Sequence, residues 1–528
     1  MKARRPARGR KPGPEPDRKP DLMPVRWREL GGRVLVTNDG GDYLWLDREP
    51  FEALMAGKLK ADHPLWAELA RTEMLHDAAV EARVVERVRR RSHHLQVGPT
   101  LHVVVLTLRC NHACTYCHAS RQPERRAGFD MSLETAARVL DVILASPAPD
   151  LTIEFQGGEP ALNFPVLRWF VEEGRRRTAD GSKHLYFSLV SNLTTLTQAQ
   201  IDYLVDQGVA VCTSIDGPAE LHDRHRRLPG GGSHRKTRAA MARFDAAYRK
   251  RRLDPALAYV NALVTVSRGS LARPEALVDE YVRMGQKVVH LRPLNPFGMG
   301  RKIWAREGYT ADEFLRFWTR ALDHILELNR QGIEMAEKMA ALLLTRILTD
   351  DDPNYADLRS PCGAAIGQLA YNHDGRVYTC DEGRMVGAMG DDLFCIGDVH
   401  RHTYADLIAH PTVRSLCVSS CLECLPGCAD CAYAPYCGVC PVYNYVEQGD
   451  LVARCATNDR CRIMLGMLDY LFQRLAEPGL SELLRRWTEV RDRSSVFEPR
   501  RAGKPAARAK ARPAAAPPRR AKKGARRK

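Results

Sequence analysis

Three cysteines in eight residues, Cys110-Asn-His-Ala-Cys114-Thr-Tyr-Cys117, set the tightest limit on this chain. Thiolates separated by three and then two residues can hold three irons of a [4Fe–4S] cluster, whereas a protein-held cluster ordinarily takes four cysteines. A loop that supplies three leaves one iron open to an exogenous ligand. Short-gap cysteines also make zinc sites, so the flanking sequence decides. Leu101-His-Val-Val-Val-Leu-Thr-Leu108 is an apolar run of strand length that ends just before Cys110. A second strand candidate, Leu151-Thr-Ile-Glu-Phe155, runs into Gly157-Gly158-Glu159-Pro160.

That pair of motifs, in this order and with Tyr116 just before the last cysteine, resembles the radical SAM signature. The resemblance implies a [4Fe–4S] cluster held by Cys110, Cys114 and Cys117, with its open iron binding S-adenosylmethionine. The residue pattern itself alternates strand and helix. Strands are expected at Leu101–Leu108, Leu151–Phe155, His184–Ser191, Val209–Ile215, Leu257–Val266 and Lys287–Pro293. Helices are expected at Ser132–Ala145, Phe164–Thr178, Ala199–Gln207, Thr237–Lys250, Pro274–Met284 and Ala311–Gln331. Alternation of this kind gives a parallel sheet with right-handed crossovers. The fold class is therefore α/β, a partial (β/α)6 barrel as the resemblance also implies, with chemistry at the carboxyl ends of its strands.

Several strand ends carry small or polar groups suited to a ligand. Gly157 and Gly158 lack a Cβ, so the backbone there can approach a neighbour closely. In radical SAM enzymes this motif contacts the methionine amine, with Glu159 placed to support it. Ser191-Asn192 follows the third strand and Ser214-Ile-Asp216-Gly-Pro218 the fourth. Asp216-Gly-Pro218 would serve equally as a plain turn, but the resemblance favours Ser214 and Asp216 near S-adenosylmethionine. Arg226 is a candidate for its carboxylate, and Arg292 after the sixth strand for the adenosine or substrate side. Cys212, inside an apolar strand, is most simply core.

Twelve of the sixteen cysteines follow residue 361. Cys362, Gly375 and Cys380, then Cys428-Ala-Asp-Cys431, Cys437-Gly-Val-Cys440 and Cys455, resemble the SPASM extension with its auxiliary [4Fe–4S] clusters. The usual last short gap has three residues and this one has two. Carried over by position, Cys362, Cys380 and Cys440 would hold one auxiliary cluster. Cys428, Cys431, Cys437 and Cys455 would hold the other. Gly367-Gln368-Leu369 stands where related enzymes have a further cysteine, so the fourth ligand of the first cluster is unassigned, with Cys395 as a substitute or that iron left open as the alternatives. Zinc is the competing reading of these paired cysteines. Cys417, Cys421 and Cys424 repeat the spacing of the first motif without its strand, aromatic or glycine pair, and are read as coincidental or adjunct ligands; Cys461 has no assigned role.

Around this core the chain divides into a basic tail at 1–23, a small unit at 24–95, the barrel at 96–340 and the auxiliary-cluster region at 341–475. A helix or linker at 476–500 and a second basic tail at 501–528 complete it. The net charge of +16 lies in the tails: residues 1–22 carry +5 and residues 501–528 carry +12, which leaves the body near −1. Tails so rich in Arg, Lys, Pro and Ala cannot bury a core and are expected to be disordered. Their contacts with nucleic acid should be non-specific at most. No apolar run spans a membrane and no leader is evident, so a cytoplasmic, reducing compartment is expected. Residues 24–95 read as a hairpin at Arg33–Asp47 followed by about three helices. This layout resembles the winged-helix-like leader-peptide-binding units of ribosomal-peptide maturation enzymes; a structural cap on the barrel is the equal alternative.

Cys117-His-Ala-Ser120, Phe155-Gln-Gly-Gly-Glu-Pro160, Tyr378-Thr-Cys-Asp-Glu-Gly-Arg-Met385 and Tyr436-Cys-Gly-Val-Cys-Pro-Val-Tyr443 resemble the radical SAM maturase of His-Xaa-Ser peptide systems. The resemblance implies reductive cleavage of S-adenosylmethionine, hydrogen abstraction from a ribosomally made peptide and an auxiliary cluster as electron acceptor. It further implies an electron donor such as flavodoxin or ferredoxin and a second radical SAM maturase in the same pathway. Asp381, directly after Cys380, matches the position of a general base in sulfatase-maturating relatives; a plain surface acid is the alternative. The competing functions are formylglycine formation in a sulfatase, and a non-enzymatic cysteine-rich protein that binds zinc and nucleic acid.

Overall fold

The computed structural model describes residues 20–60 and 62–489. The expectations for residues 1–19, 490–500 and the basic tail at 501–528 lie outside the described residues; within 476–489, Leu480–Arg486 is helical.

Three antiparallel strands open the fold: β1 (Val25–Leu30), β2 (Arg33–Asn38) and β3 (Tyr43–Leu46), in that spatial order. The hairpin expected at Arg33–Asp47 is β2–β3. The sequence reading missed β1, whose alternating Val25-Arg-Trp-Arg-Glu-Leu30 reaches β2 through Gly31-Gly32, both at positive φ. Helices α1 (Arg48–Met55), α2 (Leu65–Arg71) and α3 (Ala78–Arg91) follow. This unit docks on the C-terminal part of the chain. Arg28 pairs with Asp469 at 2.7 Å, the Thr37 hydroxyl donates to the Ala432 carbonyl, and the Tyr436 hydroxyl donates to the Gly41 carbonyl.

Six parallel strands then form the central sheet: β4 (Leu101–Thr107), β5 (Asp150–Gly157), β6 (His184–Val190), β7 (Ala210–Ser214), β8 (Asn261–Val266) and β9 (Leu291–Pro293). Each pairs with its predecessor. Between them run α4 (Leu133–Leu144), α5 (Phe164–Arg177), α6 (Gln198–Asp206), α7 (Ser233–Lys250) and α8 (Pro274–Arg283), and α9 (Ala311–Arg330) follows β9. Apolar residues from strands and helices, among them Phe155, Phe170, Phe187, Phe244 and Trp318, are fully buried between the two layers. The sixth expected strand is split. Val288–Val289 pairs with Ala336–Glu337, and only Leu291–Pro293 continues the sheet.

The sheet does not stop at β4. Strand β10 (Gln368–Tyr371) adds in parallel to its free side, and β11 (Arg376–Tyr378) and β12 (Cys395–Asp398) continue it antiparallel. Gly375, at φ +92°, is the turn residue of the β10–β11 hairpin, where its N–H donates to the Asn372 carbonyl. The glycine between Cys362 and Cys380 therefore has a structural reason: it returns the chain so that Cys380 follows β11. Sequence reading found none of these three strands, because each is only three or four residues long and shows no period. Helices α10 (Asp381–Gly387), α11 (Pro441–Gln448) and α12 (Asp459–Leu475) complete the region. Among the described residues no helix is long and apolar enough to cross a membrane.

Candidate active site and cysteine centres

Cys110, Cys114 and Cys117 lie on the loop that leaves the carboxyl end of β4, with Cys110 buried and the other two half-buried. Backbone on two sides pins the loop. The Ala113 and Thr115 N–H groups donate to the Arg227 and His225 carbonyls at 2.7 and 2.9 Å, and the Met299 N–H donates to the Cys117 carbonyl. Gly158 sits against the start of the loop: a Cβ there would stand 2.3 Å from the Arg109 carbonyl oxygen, and one at Gly157 2.1 Å from that of Thr107. The glycine pair thus lets β5 close on the backbone that leads into the cysteines. The close approach expected of these glycines is here to the chain itself.

Glu159 is fully buried. Its carboxylate accepts from the Ser191 hydroxyl (2.7 Å), the Asn192 N–H (2.8 Å) and the Ala161 N–H (3.1 Å), tying the ends of β5 and β6 together. Burial raises its pKa against the pull of these donors. Asn192 reaches the cysteine loop, donating from Nδ2 to Asn111 Oδ1 at 2.8 Å with Cys110 Sγ at 3.9 Å. Ser214 ends β7 half-buried. Cys212, two residues earlier on the same strand face, is also half-buried and so is not simple core.

Asp216 is 1% exposed. It accepts from Arg226 Nε at 3.0 Å, from the Thr265 N–H at 3.2 Å and from the Tyr116 hydroxyl. Burial would raise this carboxyl, but the Arg226 guanidinium, His222 and the two side-chain hydrogen bonds outweigh it and hold it below the ordinary range. The Arg226 guanidinium also lies 5.4 Å from the centre of the Tyr116 ring. The aromatic before the last cysteine thus locks the loop to a buried ion pair. Sequence reading placed Asp216 and Arg226 near a ligand and missed their mutual pairing. It also missed His112 and His222, whose Nε2 atoms share the Ser233 hydroxyl at 2.8 and 2.9 Å. No local motif marks that contact, since its three members come from three segments.

The donor chemistry of this loop fits an iron–sulfur cluster. Burial pushes the Cys110 thiol up, and pushes Cys114 up to about 12 although Arg226 opposes it. Such thiols become thiolates when a metal cation replaces the proton, and Arg226 offsets the added negative charge. The His112 N–H, donating to Cys110 Sγ at 3.3 Å, acts in the same sense.

The C-terminal cysteines gather in two hollows. Cys362, Cys380 and Cys440 are buried together with Phe297, Phe394 and Tyr443. Cys428, Cys431, Cys437 and Cys455 line a cavity of about 250 Å³, joined by Cys440 and Cys461. Cys395 stands apart from the first hollow: it lies on β12 against Val103 and Tyr378, with its sulfur turned to the Gly397 carbonyl. Its proposed substitution as fourth ligand is corrected on that ground. Cys417 ends the helix Pro411–Val418, and Cys421 and Cys424 flank the single turn Leu422–Cys424, where Cys421 Sγ is 3.3 Å from Glu423 Oε2. None of these three is at an end of the parallel sheet. Among the described residues no three His, Cys, Asp or Glu side chains close on a single-ion site.

Asp381 opens α10 and is held by Arg384, at 2.9 Å from Nε and 2.8 Å from Nη2. Glu382 beside it is pushed up to about 7 by burial and by the Asp357 and Asp381 carboxylates. Arg292 lines a small cavity with Tyr355, Asp357, Tyr443 and Arg460, and so faces the C-terminal region from the end of β9.

Residues 104–254 match the family model of the radical SAM superfamily, and the chain carries a radical SAM domain in an α/β fold with a mostly parallel sheet. The family implies a [4Fe–4S] cluster and S-adenosylmethionine. The chain is 32% identical over 150 residues to an uncharacterized protein, sll1766, of Synechocystis sp., covering 26% of this chain and 36% of that protein. It is 28% identical over 284 residues to the serine-type anaerobic sulfatase-maturating enzyme of Klebsiella aerogenes, covering 52% and 64%. It thus spans about a third and just under two thirds of those relatives' lengths. Native anSMEcpe with bound AdoMet and the Kp18Cys peptide shares the fold at TM-score 0.60 and 19% identity, over 74% of this chain and 100% of that one.

Proposed function

We propose that this protein is a radical SAM enzyme that modifies a ribosomally made peptide, of the kind matured in His-Xaa-Ser systems. The observation that carries the reading is the three-thiol loop at the end of β4, braced from β5, β6 and β7 by Gly158, Glu159 with Asn192, and Asp216 with Arg226. When bound there, the cluster and S-adenosylmethionine supply a 5′-deoxyadenosyl radical that takes hydrogen from the substrate.

The chain's own residues would divide the remaining work. Cys110, Cys114 and Cys117 hold three irons and leave the fourth for S-adenosylmethionine. Gly157, Gly158, Ser191, Asn192 and Ser214 shape the wall that receives it, and Glu159 and the Asp216–Arg226 pair keep that wall rigid. Cys362, Cys380 and Cys440, and separately Cys428, Cys431, Cys437 and Cys455, would hold auxiliary clusters, which would supply an electron acceptor. Asp381, oriented by Arg384, takes the proton released when the substrate radical is oxidised. The 24–95 unit binds the leader of the substrate by strand addition. Because β1 covers one side of β2, the edge available in the hairpin is β3.

Formylglycine formation in a sulfatase is the second reading, favoured by the 284-residue similarity to the sulfatase-maturating enzyme of Klebsiella aerogenes. Anaerobic co-expression with a peptide containing His-Xaa-Ser repeats, and in parallel with a sulfatase-type Cys or Ser peptide, separates the two by mass spectrometry. The proposal expects modification of the first peptide alone. Modification of the second alone overturns it in favour of formylglycine formation.

A further inference from the structure

Cys461 has no place in the ligand sets carried over by position, yet it lines the same cavity as the four cysteines of the second auxiliary site. Cys455 lines it too, with its Sγ 3.6 Å from Cys428 Sγ. Six cysteines line this cavity; with Cys440 assigned to the first auxiliary set, five thiols remain for a cubane that has four iron corners.

The two neighbouring thiols rest on different supports. Cys461 is in the first turn of α12, where its N–H donates to Asn458 Oδ1 at 3.0 Å. Asn458 is itself fixed by a 3.0 Å hydrogen bond from its Nδ2 to Asn444 Oδ1. Cys455 begins the isolated turn Cys455–Thr457, facing Gly427, whose missing Cβ would stand 3.6 Å from the Cys455 sulfur. One thiol is on a capped helix and the other on a single turn, and both line the same cavity.

We infer that Cys461 is a ligand of the second auxiliary cluster that exchanges with Cys455 at one iron. The inference rests on the auxiliary-cluster reading given above. In the exchange one Fe–S bond to Cys455 breaks and one to Cys461 forms. The incoming thiol passes its proton to the outgoing thiolate, and no electron is transferred. Either cysteine alone then suffices to retain the cluster.

Full-length protein reconstituted anaerobically, with iron counted per chain and the dithionite-reduced EPR spectrum recorded, provides the test. Wild type, Cys455→Ala and Cys461→Ala should each hold about twelve irons, the single variants with altered EPR signals, and the double variant about eight. Iron loss to about eight in Cys455→Ala alone, with Cys461→Ala identical to wild type in iron and spectrum, overturns the inference. Wild type holding only about four irons overturns instead the auxiliary-cluster reading on which it rests. Alkylation of the folded wild-type holoprotein needs no variant. Label shared between Cys455 and Cys461 supports exchange, whereas label on Cys461 alone at full occupancy overturns it.

Discussion

The barrel-end loop and the C-terminal cysteine cavity both gather thiols, but by different means. Around Cys110, Cys114 and Cys117 the supports are charged and polar: a buried Asp216–Arg226 pair, a buried Glu159, and amide contacts from Asn192. Around Cys428, Cys431, Cys437 and Cys455 the cavity wall is mostly apolar, and much of the electrostatics comes from the cysteines themselves. The first arrangement leaves polar groups and rigid strand ends beside the metal position, as a site that must also bind a substrate requires. The second lines its cavity with thiols and apolar side chains, with Asn444, Asn458 and Arg460 as polar neighbours, an environment that would suit an enclosed electron carrier. Buried polar supports of the first kind are costly when one member is lost, so the two regions should respond differently to substitution.

The largest difference is expected from replacing Cys110, Cys114 and Cys117 together by Ala. Formation of 5′-deoxyadenosine should vanish while about eight irons remain in the C-terminal field. Retained product would transfer the catalytic role to Cys417, Cys421 and Cys424. Truncation of residues 1–95 should come next, lowering precursor modification far more than uncoupled 5′-deoxyadenosine formation. Since β1 and β2 dock on the segment that carries Cys428–Cys437, the comparison must be made at matched iron. A parallel fall in both activities would make the unit a structural cover.

Asp216→Ala strands the Arg226 charge in a buried position and should cost about 3–5 kcal/mol in stability. Iron should be lost from the barrel site and kept in the C-terminal field; unchanged melting and iron would contradict the proposed bracing. Gly158→Ala places a methyl against the Arg109 and Leu108 carbonyls, at 2.3 and 2.5 Å before relaxation. The strain should be about 1–3 kcal/mol, read as a lower melting temperature and weaker S-adenosylmethionine binding with C-terminal iron intact.

The same contrast explains what could be read from the sequence. The barrel was legible up to its fifth strand because those strands and the helices are long enough to show their period, and because the cysteine loop and the glycine pair follow consecutive strands; the three-residue β9 was not resolved from Val288–Val289. The contacts that lock the site were not. Tyr116 meets Asp216 across 100 positions and His112 meets Ser233 across 121, while the Asp216–Arg226 and His222–Ser233 contacts, 10 and 11 positions apart, fit no motif, and each member is an ordinary residue in its own segment. In the C-terminal region, spacing separated two groups of cysteines but could not see that β10 to β12 extend the barrel sheet. Strands of three or four residues are too short to show alternation, and Gln368 to Tyr371 is in addition buried throughout. That blind spot also explains Cys395, which looked available in sequence and belongs to an edge strand. In the N-terminal unit, β1 was hidden because Arg26, Arg28 and Glu29 dilute its apolar positions, although Arg26 and Arg28 are its docking contacts.

The central claim is that one chain holds a catalytic cluster at the barrel end and two more in the C-terminal field. It is tested most directly by metal analysis of the full-length protein after anaerobic reconstitution, with 5′-deoxyadenosine measured on the same sample. The account predicts about twelve irons per chain, little zinc, and 5′-deoxyadenosine that appears only with both S-adenosylmethionine and a reductant. About four irons or fewer together with stoichiometric zinc would contradict it.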